Sequence, residues 1–158
     1  MKILISPYSR LLKDGKRNPK NYPWWNEVVE VLPANLPVYD NVEVVQLVYG
    51  NELRLPSIHK FVQYTSLVDA EAAIKQYNFW ISVDNWVQHY AHFIGKRGIV
   101  IWGRSDPKLF GYHENVNLLK GREFLRPRQF EWWELDEYDE KVFVEPKIVI
   151  AAVRKFAF

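Results

Sequence analysis

The sequence predicts a single α/β domain built in three layers, with helices on both faces of a mostly parallel sheet. Three observations carry that expectation. Short apolar runs alternate along the chain with segments of helical periodicity. The run Val42–Val48 is β-branched and mostly apolar, the composition of a buried strand. The length of 158 residues, 48% of them hydrophobic, suits one core and leaves little room for a second, so residues 1–158 read as one domain.

Taken in order, Lys2–Ser6 is a short apolar strand, and Pro7–Pro23 is a loop rich in Pro, Asn, Gly and basic residues. Pro23 suits the first turn of a helix. Trp24, Trp25, Val28, Val29, Val31 and Leu32 continue it until Pro33 stops it. Val42–Val48 is a strand ending at Gly50, and Phe61–Tyr64 is a shorter one. Asp69 is placed to cap a helix over Ala70–Tyr77. Phe79–Val83 is a strand, Asp84 or Asn85 caps a helix running to about Ile94, and Gly95 ends it. Gly98–Trp102 is a strand followed by the loop Gly103–Pro107, and Val116–Leu119 is a further strand. After Pro146, the spacing of Ile148, Ala151, Ala152 and Phe156 predicts a terminal helix.

Composition narrows the function. The chain has no cysteine, which excludes disulfides, thiolate metal sites and a cysteine nucleophile. A dedicated nucleic-acid binder usually shows a stronger basic excess than a net charge of +2, so nucleic-acid binding through Arg10–Lys20 ranks behind the other readings. The charge is uneven, however. Arg10, Lys13, Lys16, Arg17 and Lys20 are opposed only by Asp14, while acidic residues gather over Glu131–Glu140, which reads as a solvated face. No stretch resembles a signal peptide or a membrane span, so a cytoplasmic protein without membrane partners is expected.

The informative stretch is Phe79–Pro107, which reads as strand, polar turn, helix, Gly, strand and Gly-containing turn. In a parallel sheet, ligands bind beyond the carboxyl ends of strands. Asp84 sits at one such end and Gly103 at the next. The first turn of the helix between them offers N–H groups suited to phosphate. His89 falls about one turn after Asn85 and can face the same crevice.

These residues resemble glycosyltransferase family 9, the heptosyltransferase-like group. That family carries a strand ending in Asp-Thr-Gly, then a His on the next helix, a Gly, a strand and a Gly-Pro-Thr/Ser turn. Here the series is Asp84, Asn85, Trp86, His89, Ala91, Gly95, strand Ile99–Trp102, and Gly103-Arg104-Ser105. The family's Lys and aromatic-Pro pair opening a helix match Lys20-Asn21-Tyr22-Pro23-Trp24. The resemblance is strongest over residues 1–119. It implies a Rossmann-like domain like the C-terminal half of a GT-B fold, binding a nucleoside diphosphate sugar with no further cofactor and no metal.

By position, Lys20 would contact the donor phosphate, Asp84 and Asn85 its phosphate or sugar end, and His89 the diphosphate. Gly103, Arg104 and Ser105 would meet the nucleotide. Trp86 replaces the family's Gly and Arg104 its Pro, the latter adding a cation able to grip phosphate. The acceptor would come from a second domain or a partner chain, and no residue is assigned as catalytic base.

Other readings stand beside this one. Asp84 is also a plain helix cap, His89 a satisfied histidine, His89 and His92 a spaced pair, and the basic loop a solvated surface. The chain would then be a non-catalytic nucleotide-binding protein that sequesters, senses or regulates, or a homodimeric interaction module with a Trp-rich surface.

Overall fold

The computed structural model describes residues 1–36 and 41–157. Among these, six strands form one sheet: β1 (Lys2–Ser6), β2 (Glu43–Tyr49), β3 (Lys60–Tyr64), β4 (Phe79–Val83), β5 (Gly98–Trp102) and β6 (Val116–Leu119). Their order is β3-β2-β1-β4-β5-β6, and every neighbouring pair is parallel. The chain builds outward from β1 through β2 and β3, then returns to the other side of β1 with β4. The strand order therefore reverses between β1 and β4, the position at which open α/β sheets bind ligands.

Among the described residues five α-helices accompany the sheet: α1 (Trp25–Val31), α2 (Leu67–Gln76), α3 (Trp86–Phe93), α4 (Pro107–Phe110) and α5 (Pro146–Ala157). Alternation along each strand sends side chains to opposite faces. Ile3, Ile5, Phe79, Ile81, Val83, Ile99 and Ile101 pack with Trp25, Val28 and Val29 of α1 and Val149 and Val153 of α5. Leu4, Trp80, Val100 and Trp102 face the other way, onto Ala73 and Ile74 of α2 and Val87 and Ala91 of α3. This is the three-layer α/β domain expected, with a sheet that is all-parallel among the described residues. Trp25, Trp80 and Trp102 lie in its core, and each indole N–H has an oxygen acceptor, on Pro7, Lys96 and Asn117 respectively.

Helix boundaries differ in instructive ways. α1 begins at Trp25, two residues after Pro23, and Pro33 opens a 3-10 turn (Pro33–Asn35) instead of simply ending the helix. Ser66, and not Asp69, caps α2. Its Oγ accepts from the Asp69 N–H at 3.2 Å, and the Asp69 carboxylate takes the Ser66 hydroxyl at 2.8 Å. This reciprocal arrangement starts the helix three residues earlier. At α3 the cap is Asn85, whose Oδ1 accepts from the Val87 N–H, and Gly95 closes the helix at a φ of 71°.

Between β6 and α5 the chain has only 3-10 turns, at Arg122–Phe124, Trp133–Leu135 and Glu140–Val142. This strap lies against the loop that follows β1. Glu134 takes a two-pronged contact from Arg10, at 3.0 and 3.1 Å, and the Lys13 N–H, while Tyr138 donates to the Asn21 carbonyl. Arg10 holds the Glu134 carboxyl down at about 2. The acidic run is thus partly the internal counterweight of the basic loop, which corrects its reading as a solvated face.

Gly98 pairs in register with Trp80, where a Cβ would meet the indole at 2.3 Å and the Trp80 carbonyl at 2.6 Å. Gly98→Ala is therefore expected to cost about 1–3 kcal/mol through overpacking. Urea denaturation should show a lower midpoint with an unchanged m-value. An unchanged midpoint would mean that Trp80 yields at no cost.

Candidate functional site

Asp84 follows the last residue of β4 and is 3% exposed. A carboxylate so placed needs a counter-charge and hydrogen bonds. Gln88 Nε2, one turn along α3, donates to Oδ1 at 2.8 Å. Lys20 Nζ comes to 2.7 Å from Oδ2. Lys20 belongs to the loop after β1, which a chain of side-chain contacts folds back over the sheet edge. Ser9 N–H donates to Asn21 Oδ1 at 2.8 Å, Asn18 Nδ2 to the Arg10 carbonyl at 2.8 Å, and Lys20 N–H to Asn18 Oδ1 at 2.9 Å. From the strap, the face of Trp133 lies 4.8 Å from Lys20 Nζ. The same ring lies 4.2 Å from the guanidinium of Arg126, which pairs with Asp136 at 3.0 Å.

Asn85 is spent on structure. Its Nδ2 contacts the Ser6 carbonyl, the Ser6 hydroxyl and the Tyr8 carbonyl, at 3.3, 2.9 and 2.9 Å, while Oδ1 caps α3. It ties the outgoing ends of β1 and β4 together at the switch point. Trp86 begins α3, with its ring packed on Tyr64 and Tyr90 at centroid distances of 5.3 and 6.2 Å. His89 is exposed, and its Nδ1 lies 3.0 Å from the Tyr112 hydroxyl. Partial burial lowers its pKa, opposed by the Asp84 charge and assisted by Lys20 and His92. His92 meets the Glu114 carboxylate, so the two histidines engage different partners.

The loop after β5 closes the other side. A Cβ on Gly103 would meet the Phe143 ring at 2.8 Å and the Pro19 carbonyl at 3.3 Å. Glycine there lets this loop touch the segment that carries Lys20. The Arg104 carbonyl accepts from Arg126 N–H and Gln129 Nε2, both at 3.0 Å. Asp106 caps α4 and grips Arg122 at 2.7 and 3.0 Å, which holds its carboxyl below the usual range. Ser105 is fully buried. Its Oγ, Arg104 Nε and Ser82 Oγ are buried without a hydrogen-bond partner. Lys20, Asp84, Asn85 and His89 thus converge, Gly103 abuts them through Pro19, and Arg104 and Ser105 line the next strand end. Two surface concavities lie outside this cluster, one lined by Val29, Pro33 and Ile58, the other by Leu109, Pro127 and Phe130.

Tyr112 and Glu52 at this edge escaped the sequence reading, and Trp133 stood there only as core, interface or a stacking platform. Tyr112 and Trp133 lie far along the chain from the residues they serve. Glu52 follows β2, and burial pushes its carboxyl up to about 7, with Tyr8 and Tyr64 close enough to feel its charge. An acid just past the second strand of an alternating fold was the available signal.

No protein-family model and no curated protein matches the chain. Its fold matches a solved structure, the ADP-heptose LPS heptosyltransferase II of E. coli, with a TM-score of 0.67 and 14% identity. The match covers 98% of this chain and 45% of that one, so the chain spans about half the length of its structural neighbour. At that identity the likeness is one of fold. The domain is a GT-B-like Rossmann domain corresponding to the C-terminal half of the neighbour.

Lys20→Met leaves Asp84 buried with Gln88 alone and should destabilise the protein by on the order of 2–4 kcal/mol. Adding Asp84→Leu should recover part of that loss, giving a coupling of at least about 1 kcal/mol in a double-mutant cycle. Purely additive effects would remove the pair from its structural role.

Glu52 titrates higher in the folded chain than its ordinary value of 4.5. The native state therefore holds this proton longer, and the group's contribution to stability falls as pH rises from about 4.5 to about 7. Glu52→Gln should flatten that slope and stabilise the protein at pH 8 by on the order of 1–3 kcal/mol. Thermal unfolding across pH 4–9 reads the difference, and parallel curves for the two proteins would refute it.

Proposed function

We propose that this chain is the donor-binding domain of a glycosyltransferase and holds a nucleoside diphosphate sugar at the carboxyl edge of its sheet, between β1, β4 and β5. The observation that carries the reading is the convergence of Lys20, Asp84 and His89 where the strand order reverses. That is the location at which doubly wound sheets take nucleotides. In this reading Lys20 and Arg104 neutralise the diphosphate, with the N–H groups at the start of α3 adding a partial positive charge. His89, whose pKa partial burial lowers, serves as a hydrogen-bond donor. The unpartnered polar atoms of Arg104 and Ser105 support a polar ligand at the end of β5.

Asp84 has a different task in this reading. It repels phosphate, so it answers sugar hydroxyls, and the ligand takes a share of Lys20 in return. Glu52, at the end of β2, is placed for the ribose hydroxyls, the usual part of an acid in that position. Acceptor binding and removal of the acceptor proton fall to a second domain or a partner chain. A protein that binds the nucleotide without transferring a sugar has the same site, and product formation separates the two.

Nucleoside diphosphates and their sugar conjugates should raise the Tm of the purified protein, by the equivalent of about 2.7 kcal/mol at a hundredfold excess over Kd. Arg104→Ala and His89→Ala should each reduce the shift relative to the variant's own ligand-free Tm. A panel spanning the common bases and sugars that gives neither a shift nor calorimetric heat would sink the proposal.

A further inference from the structure

We infer that Tyr112 is a positioning residue that fixes the imidazole of His89 with its proton on Nε2, so that His89 meets a ligand as a neutral hydrogen-bond donor. The cluster lies beside the Lys20–Asp84 pair and adds Tyr112, His92 and Glu114, to which the nucleotide-binding reading gives no task. Tyr112 comes from the segment between α4 and β6, and its hydroxyl stands 3.0 Å from His89 Nδ1. The two rings meet edge to face, with centroids 5.7 Å apart at 79°. Tyr112 is itself held in place. The His92 ring stacks on it at 3.8 Å with planes 12° apart, and the Glu114 carboxylate meets His92 Nδ1.

The direction of the Tyr112–His89 hydrogen bond follows from chemistry. A phenol is a good donor and a poor acceptor, because its oxygen lone pair is delocalised into the ring. The pyridine-type nitrogen of a neutral imidazole is a strong acceptor. Tyr112 therefore donates, His89 Nδ1 accepts, and the ring proton resides on Nε2. The groups that face His89 are Asp84, Lys20, His92 and Tyr112. Lys20 and His92 oppose a charge on the ring and Asp84 favours one, so a donor aimed at its neutral form adds to the side that keeps it uncharged. The consequence deepens the proposed function and rests on it for the ligand alone. The site then carries its positive charge on Lys20 and Arg104, while His89 supplies direction without charge. A neutral donor binds phosphate oxygens without competing with Lys20 for Asp84.

The test is long-range proton–nitrogen correlation NMR on the full chain labelled at histidine, with His89 assigned by comparison with His89→Gln. Above the titration midpoint, wild-type His89 should show Nε2 in the protonated range and Nδ1 in the unprotonated range. Tyr112→Phe keeps a ring on His92. It should move both nitrogens toward the averaged shifts of an exchanging imidazole and raise the His89 titration midpoint. A wild-type proton on Nδ1, or a Tyr112→Phe spectrum identical to wild type, overturns the assignment. Both readouts use ligand-free protein, so they decide the tautomer whether or not a nucleotide binds. Inorganic pyrophosphate then probes the ligand: a shift at Nε2 that is weaker in Tyr112→Phe supports the donor role, and an unmoved Nε2 signal overturns that role while leaving the tautomer decided.

Discussion

The ion pair between Lys20 and Asp84 is the constraint around which this edge of the molecule is arranged. β4 ends in a carboxylate that the fold buries, and a buried carboxylate without a partner is costly. The cation that answers it lies on a loop leaving β1, so that loop has to return across the sheet edge and stay there. Little within the loop supplies regular structure. Asparagines do the work instead: Asn18 and Asn21 bind backbone groups inside the loop, and Asn85 binds its beginning. The strap between β6 and α5 completes the closure, with Glu134 on Arg10 and Trp133 against Lys20. The Asn85 and strap contacts join segments far apart in sequence, and with the bonds inside the loop they hold one ammonium group at one carboxylate.

That arrangement accounts for the charge pattern. The basic stretch from Arg10 to Lys20 and the acidic stretch from Glu131 to Glu140 look like opposite patches awaiting partners. In the folded chain Arg10 meets Glu134 and Lys16 meets Asp14, while Lys13 and Arg17 lie over the rings of Trp132 and Tyr138. The stretches largely answer one another or neighbouring aromatic faces. This weakens the case for a nucleic-acid surface, which depends on cations left free for phosphates.

The strands were legible because strand signals are local. β1, β4, β5 and β6 follow directly from apolar runs bounded by polar or glycine residues. The alternation of strands and helices gave the parallel sheet, since parallel neighbours require crossovers. The site was half legible. Asp84, Asn85 and His89 share one strand–helix turn, so their proximity is written in their spacing. Lys20 was found through the family pattern and not through geometry. Tyr112 and Glu52 were missed, and Trp133 was not placed at the site, because each reaches it only when distant segments fold together. The cap of α2 shows the same limit on a small scale: Ser66 and Asp69 both carry capping oxygens, and only the start of the helix decides which one caps.

The division of labour among the site residues bears on binding and chemistry in different ways. Asn85 has its amide nitrogen and oxygen committed to Ser6, Tyr8 and the α3 cap, so its place in the site is to fix the geometry of the others. Asp84 is paired with Lys20 and Gln88, and in the proposed reading it enters the ligand complex by exchanging partners. Buried polar atoms without a hydrogen-bond partner include Ser82 Oγ on β4 and Gln88 Oε1 on α3 as well as Arg104 Nε and Ser105 Oγ after β5. In the proposed reading, a ligand that meets Arg104 and also draws on Lys20 lies across the neighbouring ends of β4 and β5. In that reading, the sharing of donors between two neighbouring strand ends, more than any one residue, supports a ligand with several acceptor oxygens, such as a diphosphate.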